Sequence, residues 1–414
     1  MRRAWYRDGC RDLPRSPPRH RPRLAYFALA LLAALLPLPL PAEQWPGSVR
    51  DGASSAPVVA GVTLQFPRDF GSHPQFGIEW WYVTGWLTTA QHQPLGFQIT
   101  FFRVRPSIQS TNPSDFTAHQ LLIAHCALAD PAHGRLWQEQ RIRRAGLNLV
   151  GAAVGDTDVR MDDWRLQRHA GVLGDDSSDS TGSYQASIAG SDFALQLSFT
   201  ASSAPMLNGN GGFSQKGPEP RSASYYYSVP QLRVAGRVVR AGRAVTVTGE
   251  AWLDHEWASE YLDPAAEGWD WVGLNLADGG ALMAFEIRDR QGRDYWGGGT
   301  LRDAHGRVQI LSASQVRFTP LSRWRSPRSG VSYPVVELVR AGPQHLLLEP
   351  LMDDQEFDAR QSSGAYYWEG AVRARAPSAP ASTTAGTTAS ASATASVGRG
   401  YLELTGYDRP LSLR

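Results

Sequence analysis

An all-β fold is predicted, and three observations predict it. Val, Ile, Thr and aromatic residues recur in short runs along the 414-residue chain. Gly, Pro, Asn and Asp separate those runs at close intervals, as turns require. No long stretch carries the apolar period of a helix. Strands are expected at 79–88, 96–104, 118–129, 146–154, 193–200, 223–229, 231–235, 244–251, 269–277, 281–288, 294–301, 307–310, 335–340, 344–350, 365–373 and 400–407. Ala277-Asp278-Gly279-Gly280, Arg290-Gln291-Gly292-Arg293 and Ala304-His305-Gly306 read as hairpin turns. Successive hairpins favour closed barrels or sandwiches. The length allows two β-domains, with a boundary near 240–248.

Residues 1–42 differ in composition from the rest of the chain. They hold eight Arg and two Asp, then an apolar run from Leu24 to Leu36, then Pro37 to Ala42. A basic start, a short apolar core and a small residue read as a secretory signal, with an uncleaved N-terminal anchor as the alternative. The protein is therefore expected in the periplasm or cell envelope, with association with a membrane surface left open. The formal charge of +2 becomes −4 for residues 43–414, since the leader alone carries +6. A mildly acidic mature chain argues against nucleic-acid binding. Cys126 is the one cysteine beyond the leader, so no internal disulfide forms there, and its apolar run predicts a buried thiol. Lys216, the only lysine, lies in a Gly-rich segment and is expected on an exposed loop.

Two segments, 172–186 and 374–399, are rich in small and polar residues and read as unstructured. The second separates Tyr366-Tyr367-Trp368-Glu369-Gly370 from Gly400-Tyr401-Leu402-Glu403-Leu404 and is expected as a loop between adjacent strands.

Seven of the 14 tryptophans fall in two places, each with acids among the indoles. One is Glu79-Trp80-Trp81-Tyr82-Val83-Thr84-Gly85-Trp86. The other is Trp252-Leu253-Asp254-His255-Glu256-Trp257 with Gly268-Trp269-Asp270-Trp271. Apolar surroundings raise a carboxyl pKa, and indole faces stabilise cations. That pairing is what protonation of an unactivated double bond requires. The alternative is that Trp fills the core and the acids pair with Arg.

These segments resemble the AttH-like secreted proteins, a family that includes the carotenoid 1,2-hydratases. The resemblance also rests on Phe70-Gly71-Ser72-His73-Pro74, Gly96 to Arg103, Ser222 to Ser228, Tyr367 to Gly370 and Tyr401 to Tyr407. It implies two lipocalin-like antiparallel β-barrel domains in tandem, at 55–245 and 246–414. In the hydratase branch, water adds to a terminal double bond of an acyclic carotene. His255 and Trp257 match the first part of that branch's motif. Trp269 and Asp270 match the second, with Gly268 where the pattern has Tyr and a shorter intervening stretch.

The resemblance thus implies Asp270 as acid, His255 orienting the acid or water, and Trp257 facing the cation. Trp269, Trp271, Glu79, Trp81 and Tyr82 are the expected substrate contacts, an apolar isoprenoid or lipid is the expected ligand, and no cofactor is expected. Period-2 alternation puts His255 and Trp257 on one face of their strand and Asp254 and Glu256 on the other. His73, His255, Glu79 and Asp254 suit a metal by residue type, but no zinc-ligand spacing supports one. No Gly-x-Ser-x-Gly elbow is present. His119 and His125 read as core histidines, and Glu79 either pairs with Arg103 or faces substrate. A lipid carrier and a hydrolase are the competing classes.

Overall fold

The computed structural model describes residues 55–106, 119–171, 182–377 and 396–410. Among them, two short 3-10 turns, Arg68–Phe70 and Ala313–Gln315, are the only helical elements. The strands form two antiparallel sheets of 13 and 10 strands, two lipocalin-like barrels in tandem. The leader, residues 1–42, lies outside the described residues, as does 378–395 of the expected loop.

The first sheet is ordered by an early strand meeting a late one. Ile78–Thr89 pairs with Pro94–Val104 on one side and with Arg243–Ala258 on the other. Leu121–Asp130 and Arg135–Arg144 extend it in one direction; Ala223–Arg240, Phe193–Thr200, Gly182–Ala189 and Trp164–Ala170 extend it in the other. The barrel nearly closes where Arg141 donates to Ala189 O at 2.9 Å and lies over the Trp164 ring at 4.3 Å. The second sheet runs through Asp294–Arg302, Ala281–Asp289, Ala266–Leu276, Ser396–Leu404, Tyr366–Arg375, Gln344–Pro350, Ser332–Ala341 and Val316–Arg325. Its last strand curls back against Ala281–Asp289 and Asp294–Arg302.

The change of sheet falls at 259–265, not near 245. Arg240 pairs with Arg243 across a tight hairpin whose central residues, Ala241 and Gly242, have φ of 46° and 73°. Such a left-handed two-residue turn joins strands of one sheet. Arg243–Ala258 therefore stays with the first barrel. Gly182–Ala189 is a strand that begins within the segment read as unstructured, whose residues 172–181 lie outside the described residues, and Arg135–Arg144, Trp164–Ala170 and Val316–Arg325 are strands the apolar pattern did not signal. Their outward faces carry Arg, Gln and Ser, which weakens the compositional signal without hindering a solvated edge.

The first lumen is filled by the chain's own entry segment. Phe66 and Phe70 pack on each other at 4.6 Å and on Tyr227 at 5.1 and 5.8 Å. Trp81, Tyr225 and Trp257 close the same core. Val272, Leu274, Phe318, Val335, Val339, Leu348 and Leu404 form the separate core of the second barrel. A third apolar cluster lies between the barrels and joins Tyr82, Trp86, Tyr226 and Trp252 to Trp271, Phe285 and Tyr401. Strand 252–258 is buried on both faces because one faces a lumen and the other faces this seam.

Candidate functional site

The structure distributes the sequence-predicted residues over three places. Glu79, Trp81, His255 and Trp257 meet in the first lumen. Tyr82, Trp269 and Trp271 pack in or against the seam. Asp270 lies in the second barrel, on the strand face that also carries the core residues Val272 and Leu274. His255 and Asp270, expected to act together, are not in contact.

Strand alternation produces this split. On Arg243–Ala258, Leu253, His255 and Trp257 face the first lumen, while Trp252, Asp254 and Glu256 face the seam. On Ala266–Leu276, Trp271 faces the seam, so Asp270 must face inward. Asp270 there ion-pairs with Arg288 and accepts from the Tyr407 hydroxyl at 3.0 Å. Gly268 sits where the hydratase pattern has Tyr for a steric reason. A Cβ there would collide with Thr405 O and lie 2.6 Å from Gly406 Cα.

The first-lumen group is a closed hydrogen-bond network. Glu79 accepts from Arg103 Nε at 2.7 Å and from Ser72 Oγ at 2.9 Å. Its Oε1 meets His73 Nδ1 at 2.8 Å and His255 Nε2 at 2.9 Å, and His255 Nδ1 meets the Tyr227 hydroxyl at 2.9 Å. Burial pushes the Glu79 carboxyl up, but hydrogen bonds from His255 and His73, with the charge of Arg103, hold it well below the usual range. Burial lowers His255 to about 4, so it is neutral at physiological pH.

The donor atoms of His73, Glu79 and His255 lie within 4.8 Å of one another and are the atoms that could hold a metal. Each is already hydrogen-bonded, and buried Arg103 neutralises Glu79. The group fits a positioning network better than a cation, and no chemical step is drawn through it. Asp254 of the expected ligand set faces away, into the seam.

The seam holds a different set. Tyr82, Asp254 and Ser228 stand side by side on neighbouring strands, as do Trp80, Glu256 and Tyr226. Glu369 and Glu403 face each other across the opposing strands. Asp254, Glu256 and Glu369 are buried and Glu403 is half-buried.

Asp254 Oδ1 accepts from Trp252 Nε1 at 2.7 Å and from Ser228 Oγ at 2.5 Å. No cation lies within salt-bridge distance of Asp254 among the described residues. Burial pushes its pKa up to about 7. Glu256 instead ion-pairs with Lys216 at 3.1 Å. Burial and the charges of Asp254 and Glu256 raise Glu403 to about 8. Burial and the charge of Glu403 raise Glu369 well above the carboxylate range.

Four acids and one ammonium in a buried space cannot all be ionised, since separated charge there is costly. The stable arrangement is one carboxylate beside Lys216 and neutral carboxyls elsewhere.

Lys216 is buried, contrary to the loop reading. Its ammonium bonds Ser214 Oγ at 2.9 Å and lies 4.3 Å from the Phe285 ring and 4.9 Å from Tyr226. Asp254, Glu256, Glu369 and Glu403 do not stand out as catalytic from sequence. One signal is available: each lies in an aromatic-rich strand with no Arg beside it in sequence. Cys126 is buried as expected. His125 bonds Tyr367 and Ser362 from the other barrel, while His119 is exposed and not a core residue.

The family model for AttH-like proteins matches residues 57–407. A crystal structure of an AttH-type protein from Nitrosomonas europaea is 47% identical, covers 85% of this chain and 99% of its own, and superposes with a TM-score of 0.74. Kievitone hydratase from Nectria haematococca is 15% identical, covers 86% of this chain and 97% of its own, with a TM-score of 0.58; that likeness speaks to the fold. No curated protein matches the sequence.

Proposed function

The chain belongs to the AttH-like family, and from that premise we propose that it is a cofactor-independent hydro-lyase. In this reading it adds water to an isoprenoid double bond by acid catalysis at the seam. The observation that carries the proposal is Asp254: a buried carboxyl, hydrogen-bonded to an indole, without a cation beside it. The resemblance to carotenoid 1,2-hydratases and the hydratase among the structural neighbours support the reaction class.

Asp254 and Glu256 divide the work. Asp254 Oδ1 accepts from Ser228 and Trp252, the Tyr226 hydroxyl also bonds the carboxyl, and the neutral form of Asp254 carries the proton. That proton goes to the less substituted alkene carbon, and the π electrons form the new C–H bond. A tertiary cation results, which the π faces of Trp252 and Trp271 stabilise. Glu256, kept ionised by Lys216, takes a proton from water as the water oxygen bonds the cation. The product is a tertiary alcohol, and Glu256 returns its proton to Asp254 through solvent or the hydroxyls of the seam. Burial raises both carboxyls, and only Glu256 has the Lys216 charge and hydrogen bond opposing that rise, which distinguishes base from acid.

The test is incubation of the purified protein with lycopene or neurosporene in detergent and oxygen-labelled water, with product detected by mass spectrometry. The proposal expects a labelled alcohol from the protein and none from an Asp254→Asn variant that folds. Polyene that binds and stays unchanged would leave a carrier. The filled first lumen makes the seam the place to look for that ligand too.

A further inference from the structure

Four of the nine large apolar side chains exposed among the described residues fall within 142–154: Ile142, Leu147, Leu149 and Val154. A single exposed apolar residue needs no explanation, but a cluster marks a contact surface. This one lies at one end of the first barrel. Arg144 pairs with Leu121, Leu121 with Val104 and Val104 with Ile78, so four strands begin or finish there together. Ala145 N donates to Gln120 O at the same end. Ser72 N donates to Ala153 O, which holds the residue before Val154 beside the entry segment.

The turn that carries Leu147 is a poor place for a leucine. Leu149 N donates to Gly146 O at 3.2 Å and closes a turn whose central residues, Leu147 and Asn148, have φ of 55° and 57°. Both central positions of such a turn favour Asn, Asp or Gly, because a branched side chain is strained in the left-handed region. Asn148 conforms and Leu147 does not. Leu147 is also 65% exposed, so packing within the chain does not offset the strain. A strained, exposed leucine at a turn tip points to a contact outside the fold.

The charge around the tip has a sign of its own. Residues 141–170 hold six Arg and four Asp, a balance of +2, on a chain that carries −4 beyond the leader. Each of the four Asp is in an ion pair with an Arg of the same segment. The segment therefore presents no unmatched acid to an anionic surface. Arg143 and Arg144, on the strand that leads into the turn, are exposed, as is Arg160.

We propose that this end of the first barrel docks on an anionic lipid surface. Leu147 and Leu149 enter the boundary between headgroups and acyl chains, and Ile142 and Val154 widen the apolar contact. Arg143 and Arg144 meet the lipid phosphates. Apolar insertion and basic attraction together give reversible binding where either alone is marginal. The inference concerns a surface of the first barrel and does not depend on the chemistry at the seam.

The experiment is co-sedimentation with vesicles of phosphatidylcholine, alone or mixed with phosphatidylglycerol, at low and high salt. Residues 43–414 serve, because the leader's own apolar run would obscure the result. They hold both barrels whole, and the Nitrosomonas relative, matched over 99% of its own length, folds on that extent. Binding to the mixed vesicles is expected, weaker at high salt because the arginines are screened. Leu147→Asn and Leu149→Ser should each weaken it about tenfold, the scale of one leucine side chain returned to water. Leu147→Asn should melt no lower than the wild-type chain, since Asn suits the left-handed turn, so lost binding is not lost fold. Ile310→Ser, at an exposed position of the second barrel, should bind as the wild type does. Binding to neither vesicle, or wild-type binding by Leu147→Asn, would overturn the proposal. An equal loss from Ile310→Ser would reduce the binding to general apolar adhesion and overturn it too. A dimer in solution that Leu147→Asn abolishes, with no vesicle binding, would give the surface to a second copy of the chain instead.

Discussion

Asp254 and Glu256 stand two residues apart on one face of one strand, yet only Glu256 has a cation beside it. The difference assigns their roles. Asp254→Asn should lower kcat at least about a hundredfold, the usual scale for a lost general acid, and leave Kd for a substrate analogue within a few fold. Glu256→Gln should also lower kcat, with the loss relative to the wild-type chain smallest at acid pH, where the wild-type base is itself protonated. Asp270→Asn should reduce stability by stranding Arg288 but spare turnover per folded molecule. Steady-state kinetics on the three variants decide the matter. Loss at Asp270 with retention at Asp254 would move the acid into the second lumen.

Lys216 is the cation of the seam. Lys216→Met removes it and leaves Glu256 buried without a counter-charge, which costs about 3–5 kcal/mol in comparable sites. The double variant Lys216→Met/Glu256→Gln should recover most of that stability and none of the activity. Urea denaturation of the single and double variants tests the coupling. Additive losses would show that the two groups do not interact.

The Glu79–Arg103 pair is buried in the first lumen, with two histidines on the same carboxylate. Arg103→Met should destabilise the first barrel by about 3–5 kcal/mol. Its effect on kcat should come only through unfolding. A stable Arg103→Met protein with low kcat would instead tie the network to the chemistry.

Stability should fall as pH rises from about 4 to about 8. Asp254 and Glu403 have folded-state values raised to about 7 and about 8, above their values in the unfolded chain. The folded protein therefore binds more protons across that window. Their contribution is whole below about pH 4 and is lost as pH climbs through the folded values. Tm measured across the window should decline, and Asp254→Asn should flatten part of the decline. Turnover should fall above about pH 7, where Asp254 loses its proton. A flat Tm profile in the wild-type chain would show that these acids are hydrated and ordinary.

Much of the fold is legible because strand periodicity survives even where both faces are buried. The run Trp252 to Trp257 alternates correctly, and both of its faces can be assigned from sequence. What each face meets cannot. That depends on Ile78–Thr89 pairing with a strand more than 150 residues later and on a second barrel covering the outer face. The motif residues His255 and Asp270 look adjacent in a linear pattern. One lies on an inward face of each barrel, with the seam between them. Lys216 defeats sequence reading for the same reason: a Gly-rich loop looks exposed until the neighbouring domain closes over it. Arg135–Arg144 gives no strand signal because its polar side chains bridge to other elements and carry no apolar period.

The entry segment that packs Phe66 and Phe70 into the first barrel has a consequence for how such proteins diversify. With that lumen occupied from within, ligand specificity rests on outward-facing positions of strands whose inward positions already secure the fold. Tyr82, Trp252 and Trp271 belong to the cluster between the barrels and to neither barrel core. New substrates can therefore be explored by point mutation at the seam while the two scaffolds stay constant.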